Sequence, residues 1–210
     1  MTKVALLAGG EPAKLPNDFD IYVGIDRGSL RLLEQGLPLD LAIGDFDSVT
    51  QAEFASITSQ AQKLITAPRE KNDTDTGLAV KAVFEHYPQA EITIFGAFGG
   101  RLDHLMSNIF LPSNPDIAPY MQQIILADSQ NQVSFRPAGC HQIYQLAGMT
   151  YIAFMTSDDA DLRIKGAKYE LTEDNFFKRK IYSSNEFADK PIEVAVSTGY
   201  VIIIQTKDGR

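Results

Sequence analysis

Two aspartates separated by one residue follow a short apolar run in the first quarter of the chain. The run at 39–43 is typical of a buried strand, and Asp45 and Asp47 come just after it. If their carboxylates lie about 5 Å apart, they repel each other by roughly 3 kcal/mol at an effective dielectric constant near 20, which favours a cation between them. Mg²⁺ fits, because it takes one or two carboxylates and completes its shell with water and phosphate oxygens. The alternative is a surface turn in which either aspartate caps a helix predicted at 50–59.

More carboxylates follow other predicted strands. Asp26 ends the strand predicted at 21–25, and Asp73 and Asp75 lie in a loop that opens a helix. If the sheet is parallel, all of these positions lie at the same edge, where ligands bind in such sheets. Asp75 alone could simply belong to the first turn of its helix, where an acidic residue is favoured. Taken together, the acidic clusters indicate a metal and phosphate site.

The segment 99–104 (Gly-Gly-Arg-Leu-Asp-His) could bind phosphate. Gly99 and Gly100 would let backbone N–H groups approach an anion, and the following helix would point its positive end the same way. Arg101 could then pair with phosphate oxygens, although Gly-Gly-Arg is also common in plain turns. Lys71, beside the acidic loop, is either a phosphate contact or a solvated neighbour.

A scaffold must hold these residues in place. The sequence pattern of the first 128 residues predicts alternating strands and helices. The predicted strands are 3–8, 21–25, 39–43, 62–66, 91–95 and 123–127, and the predicted helices are 28–35, 51–59, 76–86 and 102–111. This alternation predicts an α/β fold with a Rossmann-like, mostly parallel sheet and helices on both faces.

The pattern changes after a polar junction at 128–131. The short strands predicted there are 133–136, 141–146, 150–155, 161–164, 180–182, 193–196 and 200–206. Turn residues separate them, which is typical of a small β-sandwich or barrel. We therefore predict two domains, at 1–130 and 131–210.

Composition restricts the class of partner. The chain has 210 residues, a net charge of −8 and no Lys/Arg block, so an extended nucleic-acid surface is not expected. No apolar stretch reaches the length of a secretory signal or a membrane span. The single cysteine, Cys140, cannot form an intramolecular disulfide, and we expect a reducing cytoplasm.

Three motifs, in this order and spacing, closely resemble the thiamine pyrophosphokinase family. They are 44–48 (Gly-Asp-Phe-Asp-Ser), 70–75 (Glu-Lys-Asn-Asp-Thr-Asp) and 99–104 with Asn108 following. Segment 25–28 is similar to an early family motif except at Arg27, and 165–171 and 183–187 are similar to its thiamine-side motifs. The resemblance covers nearly the whole chain. Asn72 departs from the family pattern, which has an aspartate at this position. The metal ligand or supporting acid that this aspartate provides is therefore either weakened in this chain or supplied by Asp73.

The resemblance implies transfer of diphosphate from ATP to the hydroxyl of thiamine, with Mg²⁺, giving AMP and thiamine diphosphate. It implies a nucleotide-binding catalytic domain, a thiamine-binding β-sandwich, and a homodimer with active sites between subunits. The implied metal ligands are Asp45, Asp47 and Asp75. The implied ATP contacts are Asp26, Lys71, Gly99, Gly100, Arg101 and Asn108. The implied catalytic residues are these metal ligands together with Arg101 and Asp103, and Asp103 would accept the proton of the thiamine hydroxyl. The implied thiamine contacts are Tyr169, Ser184 and Asn185.

Two other functions stay open. Residues 45–49 also satisfy the signature of haloacid-dehalogenase-like phosphatases, in which Asp45 would be phosphorylated and Asp47 would act as acid and base. That interpretation leaves 99–104 and the C-terminal strands unexplained, and it places the motif on the third strand instead of the first. A non-catalytic sensor of nucleotide or thiamine is the second alternative, and Asn72 is its main support.

Overall fold

Six short apolar strands form a parallel sheet in the N-terminal unit. The computed structural model describes residues 1–10, 14–68, 72–177 and 181–209, which form two units, Met1–Asp128 and Ser129–Arg210. The strands are β1 (Lys3–Leu7), β2 (Ile21–Ile25), β3 (Leu41–Gly44), β4 (Lys63–Thr66), β5 (Glu91–Phe95) and β6 (Ile124–Ala127). Their order is β6-β5-β1-β2-β3-β4, and every neighbouring pair is parallel.

Within the described residues, four helices accompany this sheet: α1 (Arg27–Glu34), α2 (Gln51–Gln60), α3 (Asp75–His86) and α4 (Leu102–Ile109). Leu32 of α1 and Ile57 of α2 share a buried cluster with Ala5 and Leu7 of β1. Val4 and Leu6, which alternate with them along β1, are also fully buried, so both faces of this strand are covered. Short 3₁₀ turns also occur at Leu111–Ser113, Ala118–Gln123 and Glu173–Asn175.

Glycines allow the helices and loops to approach the carboxyl ends of the strands closely. A Cβ atom on Gly28 would lie 1.9 Å from the carbonyl oxygen of Leu7, and one on Gly24 would lie 2.3 Å from the Cα of Ser29. The first turn of α1 can therefore pack directly against the ends of β1 and β2 only because these two residues lack side chains.

The C-terminal unit consists of antiparallel strands: β7 (Asn131–Ile143), β8 (Tyr151–Thr156), β9 (Leu162–Lys165), β10 (Tyr182–Glu186) and β11 (Ile192–Thr206). Their order is β10-β8-β11-β7, with β9 also paired to β11. The predicted order of a parallel, helix-containing part followed by a strand-rich part is confirmed. The strand predicted at 180–182 overlaps β10 only at Tyr182, where β10 begins. Lys180 lies outside the described residues.

Two of the predicted breaks between strands are wrong. Predicted strand 133–136 and the first half of predicted strand 141–146 lie in β7, which ends at Ile143, and predicted strands 193–196 and 200–206 both lie in β11. Pairing between these two strands shifts register between Val196 and Tyr200, where Gly199 has φ 59°. A glycine can take this left-handed conformation inside a bulge, so the strand continues where turn residues predicted its end.

Along one side, β11 pairs with two different strands, one on each side of the register shift. Residues 193–196 pair with β9, whereas 201–206 pair with β8. Side chains from all three strands enter one core, which includes Phe154, Ile164, Val194 and Ile203. Among the described residues, no helix is long and apolar enough to cross a membrane.

Candidate functional site

A cleft of about 450 Å³ lies at the carboxyl edge of the parallel sheet. The loops after β1, β2, β3 and β5 and the beginnings of α3 and α4 line it. The predicted site residues among its walls are Asp26, Asp45, Asp75, Gly99, Gly100, Arg101 and Asn108. Asp73 and His104 line it as well. The structure therefore brings acidic side chains, one arginine and glycine backbone together in a single cavity.

Asp26 forms a hydrogen bond to the loop that contains Asp45. Its Oδ1 accepts a hydrogen bond from the backbone N–H of Phe46 at 3.0 Å, and Asp26 itself has φ 47°. A Cβ atom on Gly44 would lie 1.9 Å from this Oδ1, so the close approach of the two loops requires a glycine. Asp26 thus fixes the geometry of the neighbouring acidic loop and also faces the cleft.

Asp45 and Asp47 have different surroundings. Phe46, with φ 55°, is buried against Phe54 at a ring-centroid distance of 5.1 Å. Asp45 lines the cleft, whereas Asp47 is exposed and lies outside its lining residues. The N–H of Asp47 donates to Oδ1 of Asp45 at 3.1 Å, as in a local turn. Neither aspartate caps α2, because Thr50 does so together with Glu53.

The acidic loop before α3 contains Asp73, which is ion-paired, and leads into Asp75 at the start of the helix. Thr74 caps α3 by accepting the N–H of Gly77 at 3.1 Å, and Asp75 is the first residue of the helix. Asp73 accepts hydrogen bonds from Lys81, at 3.1 Å to each oxygen, and from Asn114 at 3.0 Å. Among the described residues, no three His, Cys, Asp or Glu side chains form a group that could hold a metal ion unaided. Lys71 lies outside the described residues.

Arg101 and Asp103 are bound to each other. Nε and Nη2 of Arg101 donate to the two carboxylate oxygens of Asp103 at 3.1 and 2.5 Å, and the two side chains are 72% and 62% exposed. These hydrogen bonds lower the pKa of Asp103 below its ordinary value. A carboxylate held in this way is a weak base, so a proton-accepting role requires Arg101 to move to another anion.

The glycines and the asparagine predicted to contact ATP shape the same wall. Gly99 and Gly100 have φ 85° and 67°, conformations that few other residues adopt. Asn108 is buried, and its Nδ2 donates to the carbonyl oxygen of Ala97 at 3.1 Å. Asn108 therefore supports the loop after β5 as well as facing the cleft.

Two arginines that the sequence interpretation did not assign hold the loops of the cleft. Arg27 donates from Nη1 to the carbonyl oxygen of Ser48 at 2.7 Å and also pairs with Glu53. Arg31 donates to the carbonyl oxygen of Gly9 at 2.7 Å and to that of Gly10. Both arginines lie on the first two turns of α1, directly after β2. Their position after the carboxyl end of a parallel strand was the sequence signal that could have placed them near the cleft.

The predicted thiamine contacts lie in the C-terminal unit. Tyr169 and Asn185 line a cavity of about 400 Å³, and Ser184, which has φ 57°, is exposed outside the residues that line it. Asn185 is buried, with Nδ2 donating to the carbonyl oxygen of Tyr169 at 2.7 Å and Oδ1 accepting its N–H at 2.9 Å. Nζ of Lys168 lies 5.5 Å from the centroid of the exposed Tyr169 ring.

Comparison with known proteins agrees with these two units. Residues 13–120 match the family model described as the thiamin pyrophosphokinase catalytic domain. Residues 140–201 match the one described as the thiamin pyrophosphokinase vitamin B1 binding domain. The thiamine pyrophosphokinase of Bacillus subtilis is 30% identical over 217 residues, covering 99% of this chain and all of that protein.

Solved structures give the same result. A thiamin pyrophosphokinase family protein from Enterococcus faecalis is 39% identical, with a TM-score of 0.91 over 99% of this chain and 100% of that chain. A protein from Lactobacillus plantarum is 34% identical, with a TM-score of 0.90 and full coverage of both chains. The resemblance found in the sequence is confirmed, and the chain belongs to the thiamine pyrophosphokinase family.

Proposed function

We propose that this protein is a thiamine pyrophosphokinase, a transferase that moves the diphosphate group of ATP to the hydroxyl of thiamine. The products are thiamine diphosphate and AMP. The observation that carries the proposal is a single cleft containing Asp26, Asp45, Asp75 and Arg101 in a chain that matches this family over both units. The phosphatase alternative does not account for the match of the C-terminal unit to a vitamin B1 binding domain, and the sensor alternative does not account for the match of the N-terminal unit to a catalytic domain.

The cleft of the N-terminal unit is proposed to hold the triphosphate of ATP. Domain 1–130 would then be the Rossmann-like nucleotide-binding domain. Gly99 and Gly100 line the cleft and lack side chains, so their N–H groups could approach a phosphate, and Arg101 offers a planar guanidinium suited to two phosphate oxygens. Asp26 and Asn108 would fix the loops around the nucleotide, and Lys71 would add a further phosphate contact.

The donor set of the cleft fits Mg²⁺. Its acidic walls present hard carboxylate oxygens, which this ion prefers, and the ion commonly binds through one or two carboxylates together with substrate phosphates. We propose Asp45 and Asp75 as the principal ligands and Asp47 as a third that joins only if the turn at 45–47 rearranges. When bound, the ion would offset the negative charge on the phosphate oxygens during transfer.

The chain's own residues would align the reactants. The hydroxyl oxygen of thiamine forms a bond to the β-phosphorus, and the bond from that phosphorus to the oxygen bridging to the α-phosphate breaks, releasing AMP. Once Arg101 binds phosphate, Asp103 loses its hydrogen-bond donor and can accept the hydroxyl proton. Placement and charge would supply most of the rate enhancement.

Domain 131–210 is proposed to be a β-sandwich that binds thiamine. Tyr169 offers an exposed aromatic face to the cationic thiazolium ring, and Ser184 and Asn185 would contact the aminopyrimidine. We propose a homodimer with its active sites between subunits. A reducing cytoplasm suits a chain whose single cysteine, Cys140, is exposed.

Product analysis tests this proposal. The protein is incubated with ATP, Mg²⁺ and thiamine, and the mixture is separated by chromatography. We expect AMP and thiamine diphosphate in equal amounts. ADP or free phosphate as the main product would contradict the proposal, a trappable aspartyl-phosphate at Asp45 would support the phosphatase, and tight nucleotide binding without product would support the sensor.

A further inference from the structure

Lys81 connects the acidic loop to a second segment of the N-terminal unit. Its Nζ lies 3.1 Å from both carboxylate oxygens of Asp73 and 2.8 Å from Oδ2 of Asp116. Asn114 completes the network, because its Nδ2 donates to Asp73 at 3.0 Å and its Oδ1 accepts the N–H of Asp116 at 3.0 Å. Four residues are therefore joined in a closed ring of hydrogen bonds, in which Asp116 takes part through both its carboxylate and its backbone N–H.

This network occupies the carboxylate of Asp73. Oδ1 accepts two hydrogen bonds and Oδ2 accepts one. The side chains of Lys81 and Asp73 are only 26% and 27% exposed, so their attraction is screened less than that of a surface pair. To ligate a cation, Asp73 would have to give up the ammonium of Lys81, which already neutralises it.

The position of Asp73 links the network to the cleft. Asp73 directly precedes Thr74, whose hydroxyl caps α3, and the next residue is Asp75. Lys81 lies two turns further along the same helix. Holding Asp73 against Lys81 therefore fixes the path by which the chain enters α3, and with it the place of Asp75 at the wall of the cleft.

We propose that Lys81, acting through Asp73, is a positioning residue for Asp75, and that Asp73 does not replace the acid missing at Asn72 as a metal ligand. The inference rests on the proposed function of the cleft. Lys81 neutralises Asp73, which lines the cleft, and so reduces the repulsion between this wall and the triphosphate. The cation then depends on Asp75 and Asp45 for its protein ligands.

Hydrogen exchange on the substrate-free protein tests the positioning step without any reaction. We compare Lys81→Met, Asp73→Asn and Lys81→Arg, with Lys63→Met on β4 as a control for loss of a lysine elsewhere in the unit. We expect the amides of 74–77 to exchange roughly tenfold faster in Lys81→Met and Asp73→Asn, and to stay near the wild-type rate in Lys81→Arg and in the control. Unchanged exchange in both Lys81→Met and Asp73→Asn would overturn the proposal.

Titration with Mg²⁺ at saturating ATP and thiamine separates positioning from ligation. Because Asp73 acts by placing Asp75, we expect Asp73→Asn and Lys81→Met to raise the half-saturating Mg²⁺ concentration by a similar, modest factor of about three, whereas Asp45→Asn should raise it more than tenfold. A rise for Asp73→Asn as large as that for Asp45→Asn, with no rise for Lys81→Met, would show that Asp73 is a ligand. Because the exchange experiment needs no turnover, it still tests the network if the wild type makes no thiamine diphosphate.

Discussion

Replacing Asn185 with alanine should loosen the turn that presents Tyr169. The amide of Asn185 makes three hydrogen bonds to backbone groups: it donates to the carbonyl oxygen of Tyr169 at 2.7 Å, and it accepts the N–H groups of Tyr169 and Glu186 at 2.9 and 3.0 Å. Asn185 is only 3% exposed, so water cannot fully replace these partners. At about 1 kcal/mol for each hydrogen bond, the free energy of unfolding should fall by roughly 3 kcal/mol.

Urea denaturation followed by circular dichroism measures this loss, and steady-state kinetics measure its functional consequence. We expect the KM for thiamine to rise severalfold while the KM for ATP stays nearly constant, because the displaced turn lies in the C-terminal unit. Ser183→Ala is the matched control, since Ser183 is exposed on the same strand and should lose less than about 0.5 kcal/mol. A loss in Asn185→Ala no larger than in Ser183→Ala would refute the reasoning.

A thiamine analogue distinguishes support from direct contact. In the analogue, oxygen replaces the amino group of the pyrimidine ring. If Asn185 acts by holding Tyr169, Asn185→Ala should weaken binding of thiamine and of the analogue by the same factor. If Asn185 instead contacts the amino group, the preference for thiamine over the analogue should shrink in the variant.

Three further outcomes follow from the N-terminal unit. Gly44→Ala would place a Cβ atom 1.9 Å from the Asp26 carboxylate at φ 149°, so it should destabilise the fold by about 1–3 kcal/mol in denaturation and weaken ATP binding in calorimetry. Arg27→Met removes an exposed support of the acidic loop and should raise the KM for ATP with little loss of stability. Hydrogen bonds from Thr50 lower the pKa of Glu53, so the stability advantage over Glu53→Gln should be full above pH 4.5 and decline as the pH falls further, which denaturation at several pH values can follow.

The convergence of acidic residues was predictable because it depends on topology. Parallel strands buried on both faces leave uninterrupted apolar runs in the sequence, and β1 shows this most clearly. Once the strands are parallel, the residues after β2 and β3 must lie at one edge, which places Asp26 near Asp45. Neither conclusion requires knowledge of any side-chain conformation.

The individual environments of these residues were not predictable, because they depend on local backbone angles and distant partners. Asp45 and Asp47 are equivalent by spacing, yet a φ of 55° buries Phe46 and leaves Asp47 outside the cleft. Asp73 is paired through Asn114, which lies 41 residues away in sequence. In the C-terminal unit, Gly199 continues a strand through a bulge although its residue type indicated a turn.

The transfer of the diphosphate group is tested most directly with ATP labelled at the β-phosphorus. The labelled nucleotide is incubated with the wild-type protein, Mg²⁺ and thiamine, with Asp45→Asn as the control for metal-dependent turnover. The account predicts that the label appears in thiamine diphosphate and that AMP is unlabelled, with much less transfer by Asp45→Asn at the same low Mg²⁺ concentration. Label retained in ADP, together with thiamine monophosphate as the product, would contradict it.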